Sequence, residues 1–134
     1  MTTSIVSGRQ DYGTLLDAVA ANAAEASRTQ IINVVGQANC SLLAWITRVA
    51  ASALTVTIAA SLDDGTTYGD IQSMSVSGGT GTLSDMTWSK AVSADKGIII
   101  DLPVAAYTHI KVIIGGTGGG ATDKLTLQAS AVSI

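Results

Sequence analysis

The chain has 134 residues, enough for one domain that buries about two thirds of its unfolded surface. Hydrophobic residues make up 47% of it and charged residues only 13%, against ~25% in ordinary soluble domains, and seven basic against ten acidic side chains leave a net charge of −3. No segment gathers cations for a nucleic-acid backbone, the lone Cys40 allows neither an intrachain disulfide nor a thiolate zinc site, and no apolar run approaches the ~20 residues of a membrane span.

A surface this poor in charge must be covered by Ser, Thr, Gly and Ala and leaves apolar patches that call for a partner, so assembly is expected. Residues 1–13 form a polar N-terminal arm in which Ile5, Val6 and Tyr12 are the only sizeable apolar side chains. It buries little alone and either frays or lies against a neighbouring subunit. Its opening lacks the charged start and long apolar run of a signal peptide, which points to synthesis in a cytoplasm. From Thr14 to Arg28, Leu15, Leu16, Val19, Ala20 and Ala23 share one helical face, with Thr14 as cap and Asp17 in the first turn. A short strand, Leu15 to Val19, followed by an Ala-rich loop is the alternative, and both readings stand.

Residues 14–134 otherwise read as strands. Thr29 to Val35 is β-branched and closed by Gly36. Ser41 to Val49 is apolar on both faces, which predicts a central strand covered on both sides with Trp45 in the core beside Leu43 and Val49. Leu54, Val56, Ile58 and Ala60 then alternate with Thr55, Thr57, Ala59 and Ser61, and Asp63, Asp64 and Gly65 supply a tight turn back into Tyr68 to Val76. Thr82 to Ser89 is a weaker strand. GIIIDL, Gly97 to Leu102, suits a buried strand stopped by Pro103, and Ile110, Val112 and Ile114 share a face before the Gly115 to Gly120 turn. Lys124 to Val132 ends the chain with Leu125, Leu127, Ala129 and Ala131 facing in. About eight short strands without a βαβ rhythm predict an all-β fold, a single antiparallel β-sandwich or jelly roll.

Reactive groups do not converge. His109 sits mid-strand and reads as a surface or satisfied histidine, and Cys40 as a buried, inert thiol. Asp63, Asp64 and Asp70 could share a hard cation, but their spacing is not that of a calcium loop and turn chemistry explains the first two. No metal, cofactor or enzymatic activity is expected. Tyr68 and Trp88 suit either a sugar-stacking platform or anchors at a subunit interface.

Taken together, TLLDAVAA near the start, TVTIAASLDDGTTYGDI in the middle and YTHIKVIIGGTGGGATDKLTLQAS at the end resemble small β-sandwich virion proteins of tailed bacteriophages. Ala20 to Ser27 departs from that pattern in being Ala-rich where glycines are expected, and Tyr68 stands where Trp is common. The resemblance implies a structural, capsid-associated role of the head decoration or cement type. The expected partners are the major capsid protein and the chain itself as a homo-oligomer, a trimer by preference, on the virion surface. The residues expected at partner contacts are Ile5, Val6, Tyr12, Tyr68 and Trp88. Two other functions fit the same text: a glycan-binding sandwich of a fibre, with Trp88 and Tyr68 on one concave face, and a shell-forming coat or tail subunit.

Overall fold

The computed structural model describes residues 8–133. Eleven strands follow one another: β1 (Arg9–Ala20), β2 (Thr29–Asn33), β3 (Gln37–Thr47), β4 (Ala53–Ser61), β5 (Gly69–Asp70), β6 (Gln72–Ser77), β7 (Thr80–Asp85), β8 (Thr87–Ala91), β9 (Lys96–Pro103), β10 (His109–Thr117) and β11 (Lys124–Ser133). One sheet has the order β1-β11-β3-β9, and the second runs β2-β10-β4 with both β5 and β8 on the far side of β4. All pairings are antiparallel, and they nest: first strand with last, β2 with β10, β3 with β9, β4 with β8. This is the wiring of a jelly roll, two stacked sheets formed by a long folded-over ribbon.

The core lies between the sheets and follows the period-two pattern. Leu42, Ala44, Ile46, Leu125, Leu127 and Ile100 of one sheet meet Val56, Ile58, Ile110, Val112 and Ile114 of the other, all buried. Cys40 is buried among them, and loss of hydration pushes its thiol up to about 11.

The stretch from Thr14 to Arg28 resolves in favour of the strand, with one 3-10 turn at Glu25–Arg28 behind it. Register shifts between Thr14 and Leu16 and between Leu16 and Val19 break the alternation of β1, and Ala18 takes a φ of +51° within the second. Inward positions thus recur at a spacing of three, bringing Leu16 and Val19 to the core and giving the sequence its helical look. Residues Arg9 to Gly13, read as the end of the arm, are the start of this strand, whereas Ile5 and Val6 lie outside the described residues.

Two expected strands differ in detail. Ser41 to Val49 is central, between β11 and β9, but only its Leu42, Ala44 and Ile46 side is covered; Trp45 is 39% exposed and Val49 58%. Ile99 in the middle of GIIIDL is 69% exposed, because β9 is an edge strand with one face to solvent. The Gly-rich turn is also shorter than expected, since β10 continues through Gly115 and Gly116 to Thr117.

One end of the roll is tied by Asp123, a fully buried carboxylate. Its Oδ1 accepts the N–H groups of Val49, Ala50 and Ala51 at 2.6, 2.9 and 3.1 Å, and its Oδ2 that of Gly120 at 2.9 Å. The Asp123 carbonyl accepts Ala21 N–H, so three connections between the sheets meet on one residue. The Gly120 N–H and then those of Val49, Ala50 and Ala51 hold its carboxyl far below the usual carboxylate range. A carboxyl depressed on folding contributes stability that is fully present above its unfolded value, near ~3.9, and is lost as pH falls through the folded one. Asp123→Asn should therefore lower the Tm at pH 7 by about 5 °C or more and flatten the fall in Tm below pH ~4, read from thermal melts by circular dichroism.

Candidate functional site

Two surface features stand out from the sandwich. The first is the outer face of the β1-β11-β3-β9 sheet, where register aligns side chains in rows across the strands. Asp11, Ser130, Ser41 and Asp101 make one row, and Thr14, Gln128, Leu43 and Ile99 the next. Thr126, Trp45 and Gly97 follow. Ser41 Oγ donates to Asp101 Oδ1 at 2.5 Å, Asp11 Oδ1 accepts Gly13 N–H at 2.9 Å, and Trp45 Nε1 donates to Thr47 Oγ1 at 3.3 Å. A shallow groove of 240 Å³ lies between the first two rows, lined by Asp11, Ser130, Ser41, Gln128, Leu43 and Ile99, with Arg9 also on its wall.

Trp45 owes its pose to Gly97. A Cβ at position 97 would stand 2.8 Å from Trp45 Cε3 and 3.3 Å from Cζ3, so the indole occupies the space a side chain on β9 would fill. Glycine there lets the ring lie across the neighbouring strand, packed below and open above.

The second feature is the β6-β7 hairpin. β5 and β8 pair with the same side of β4, at residues 59–60 and 53–57, and run in the same direction. They are two pieces of one edge strand, interrupted by residues 72–85. Cross-strand pairing puts Ser73, Ser75, Ser77, Thr80, Thr82 and Ser84 on one face of the hairpin and Met74, Val76 and Leu83 on the other. Both strands are exposed throughout; Met74 and Val76 are each 67% accessible and Leu83 63%. No charged side chain occurs from Ile71 to Ser84. At its base Gln72 Nε2 donates to Asp85 Oδ1 at 2.6 Å and Met86 N–H to the Ile71 carbonyl at 2.9 Å.

Residues singled out from the sequence fall in several places. Tyr12 donates its hydroxyl to the Asn33 carbonyl at 2.6 Å, joining β1 to the edge of the opposite sheet, and burial, with the Cys40 thiol beside it, raises its phenol. Trp88 stands opposite buried Val56 and packs against the core from the inner side of its sheet. Tyr68 lies on the outer side of that sheet, with Lys111 Nζ 4.8 Å from its ring centre. Trp88 and Tyr68 are therefore on opposite faces and form no common platform.

Asp63 accepts Thr67 N–H and the Ser61 hydroxyl, which hold its carboxyl below the ordinary value, while Asp64 and Gly65 both take positive φ in the turn they make. His109 sits beside Gly65, away from any carboxylate cluster among the described residues. The exposed indole was missed because Ser41 to Val49 is apolar on both faces; Gly97, directly across from Trp45, was the signal available.

The arrangement is that of a jelly-roll sandwich with an inserted hairpin. No family model and no curated protein matches the chain. Among solved structures it is similar to the SPBc2 prophage-derived protein YomS, with a TM-score of 0.51, 13% identity and coverage of 98% of this chain and 100% of that one. It also resembles, more loosely, a non-crystalline cellulose specific carbohydrate-binding module, CBM28, with a TM-score of 0.41, 6% identity and coverage of 93% and 72%. For a CBM4 structure the values are 0.44, 9%, 94% and 79%. At these identities the likeness is one of fold.

Gly97→Ala should displace the Trp45 indole. In a Trp88→Phe background, where Trp45 is the sole tryptophan, the emission maximum should move to longer wavelength and acrylamide quenching increase, with the thermal transition retained.

Proposed function

We propose that the chain is a structural protein of a tailed-phage virion, of the decoration or cement type, which binds the assembled head and bridges its subunits. The observation that carries this reading is the inserted hairpin. An isolated two-stranded hairpin is marginal in water, and this one exposes Met74, Val76 and Leu83 on an uncharged face without shielding from its own sandwich. A side chain of that size contributes about 1.5–3 kcal/mol when fully buried, so an arm of this kind is best explained by a protein surface that covers it. The full-length fold shared with a prophage-derived protein agrees with a phage origin.

On this reading the protein acts by binding alone, with no catalysis and no cofactor. Binding the assembled shell but not its dissociated parts stabilises the shell by about 2.7 kcal/mol at a free concentration one hundred times Kd. Clustering as a homo-oligomer, a trimer by preference, multiplies weak arm contacts by avidity of roughly 10²–10⁴. A shell-forming coat subunit would differ in one respect: particles would not assemble in its absence.

The ends of the hairpin meet at Ile71 and Met86, so replacing residues 72–85 with an Asn-Gly turn closes the edge strand. That variant should fold, with a melting transition like the parent's, and should no longer sediment with undecorated heads of the same phage. M74S/L83S, at exposed positions, should weaken the same binding by roughly tenfold or more. Undiminished sedimentation of both variants would refute the assignment.

A further inference from the structure

We propose that the outer face of the β1-β11-β3-β9 sheet is a binding site for a neutral glycan, with the Trp45 indole as its stacking platform. The inference is independent of the capsid reading and uses the opposite sheet from the one that bears the hairpin.

The chemistry of the face narrows the ligand. Trp45 lies across Gly97 with its outer side open, and Leu43 and Ile99 continue the apolar strip from it. An electron-rich aromatic face attracts the C–H-bearing face of a pyranose ring. Beside this strip run Gln128 and then the row of Ser130, Ser41 and Asp101, spaced by the ~4.8 Å between strands. Hydroxyls, an amide and carboxylates are the donors and acceptors that pair with sugar hydroxyls. Asp11 and Asp101 each use one carboxylate oxygen, Oδ1, on their own chain. An apolar lining with a few convergent polar groups is the general form of a small-ligand site.

Other ligands fit less well. Leu43 and Gln128 stand on strands flanked on both sides, so their main-chain groups are taken up in ladders and cannot pair with an extended peptide. In the groove the Asp11 carboxylate offsets the Arg9 guanidinium, and Asp101 on the same face beside Ser41 adds a second carboxylate, which disfavours phosphate, sulfate or an acidic sugar. The apolar strip is too interrupted by polar rows for a lipid surface. A groove of 240 Å³ is below the ~300–1,000 Å³ of drug-sized pockets, which suits a short stretch of a polymer bound from the side. Affinity per site is then low, and repetition on an assembly raises it.

The test is native gel electrophoresis of the full chain through gels containing dextran, laminarin, galactomannan or xylan, with alginate as the acidic comparison. At least one neutral polymer should retard the protein and alginate should not. Trp45→Ala should reduce the retardation at least tenfold in apparent affinity, and Gln128→Ala should reduce it severalfold. Trp88→Phe should leave it unchanged, and its remaining tryptophan emission should shift on adding the retarding polymer. Should Trp45→Ala fail to fold by circular dichroism, Gln128→Ala and Asp101→Asn, both at exposed positions, decide the matter in the same gels. The proposal is overturned if no neutral polymer retards the protein, or if retardation survives these substitutions. It is likewise overturned if Trp45→Ala changes the oligomer mass without polysaccharide, since the face would then be a protein interface.

Discussion

Asp123 is the constraint on which the sandwich closes. Four N–H groups end on its carboxylate and a fifth on its carbonyl, drawing the β1-β2, β3-β4 and β10-β11 connections to one buried point. Each of those connections passes between the two sheets, where main-chain donors would otherwise be buried without acceptors. A carboxylate in a concavity of amides satisfies them together, as anion-binding nests do. The end of the roll is thus held by charge-assisted hydrogen bonds in a chain that has few charges to spend. With that end fixed, the core strands keep their register, and so do the side-chain rows that register projects outward.

The two outward surfaces differ in kind. One sheet presents a groove, an indole and a ladder of polar groups, all on strands held by neighbours. The other carries at its edge a hairpin inserted into a strand that resumes beyond it. The insertion is not needed to complete the sandwich, because β5 and β8 together already cover the side of β4. It carries no charge from Ile71 to Ser84 and separates into a hydroxyl face and an apolar face, the features on which the proposed contact rests.

Much of the fold was legible because alternation needs no tertiary knowledge. Leu125, Leu127, Ala129 and Ala131, and Ile110, Val112 and Ile114, face the core as their spacing dictates. Where pattern failed, the causes were specific. Bulges in β1 changed the inward spacing from two to three and imitated a helix. In β3 both faces are apolar, and periodicity cannot say which is covered; Trp45 went outside because the neighbouring strand offers glycine at 97. The hairpin was hidden because Tyr68 to Val76 reads as one returning strand, while only its Gly69 and Asp70 pair with β4. Trp88 and Tyr68 were grouped by residue type, yet alternation places them on opposite sides of one sheet.

The central claim is that residues 72–85 are the docking element of a virion protein. Amide hydrogen exchange of the purified chain, alone and bound to undecorated heads, measures it directly. The account predicts fast exchange in residues 72–85 of the free protein and strong protection there on binding, with little change in the core strands β3, β4, β10 and β11. Binding that protects other segments and leaves 72–85 exchanging as fast as before would contradict it.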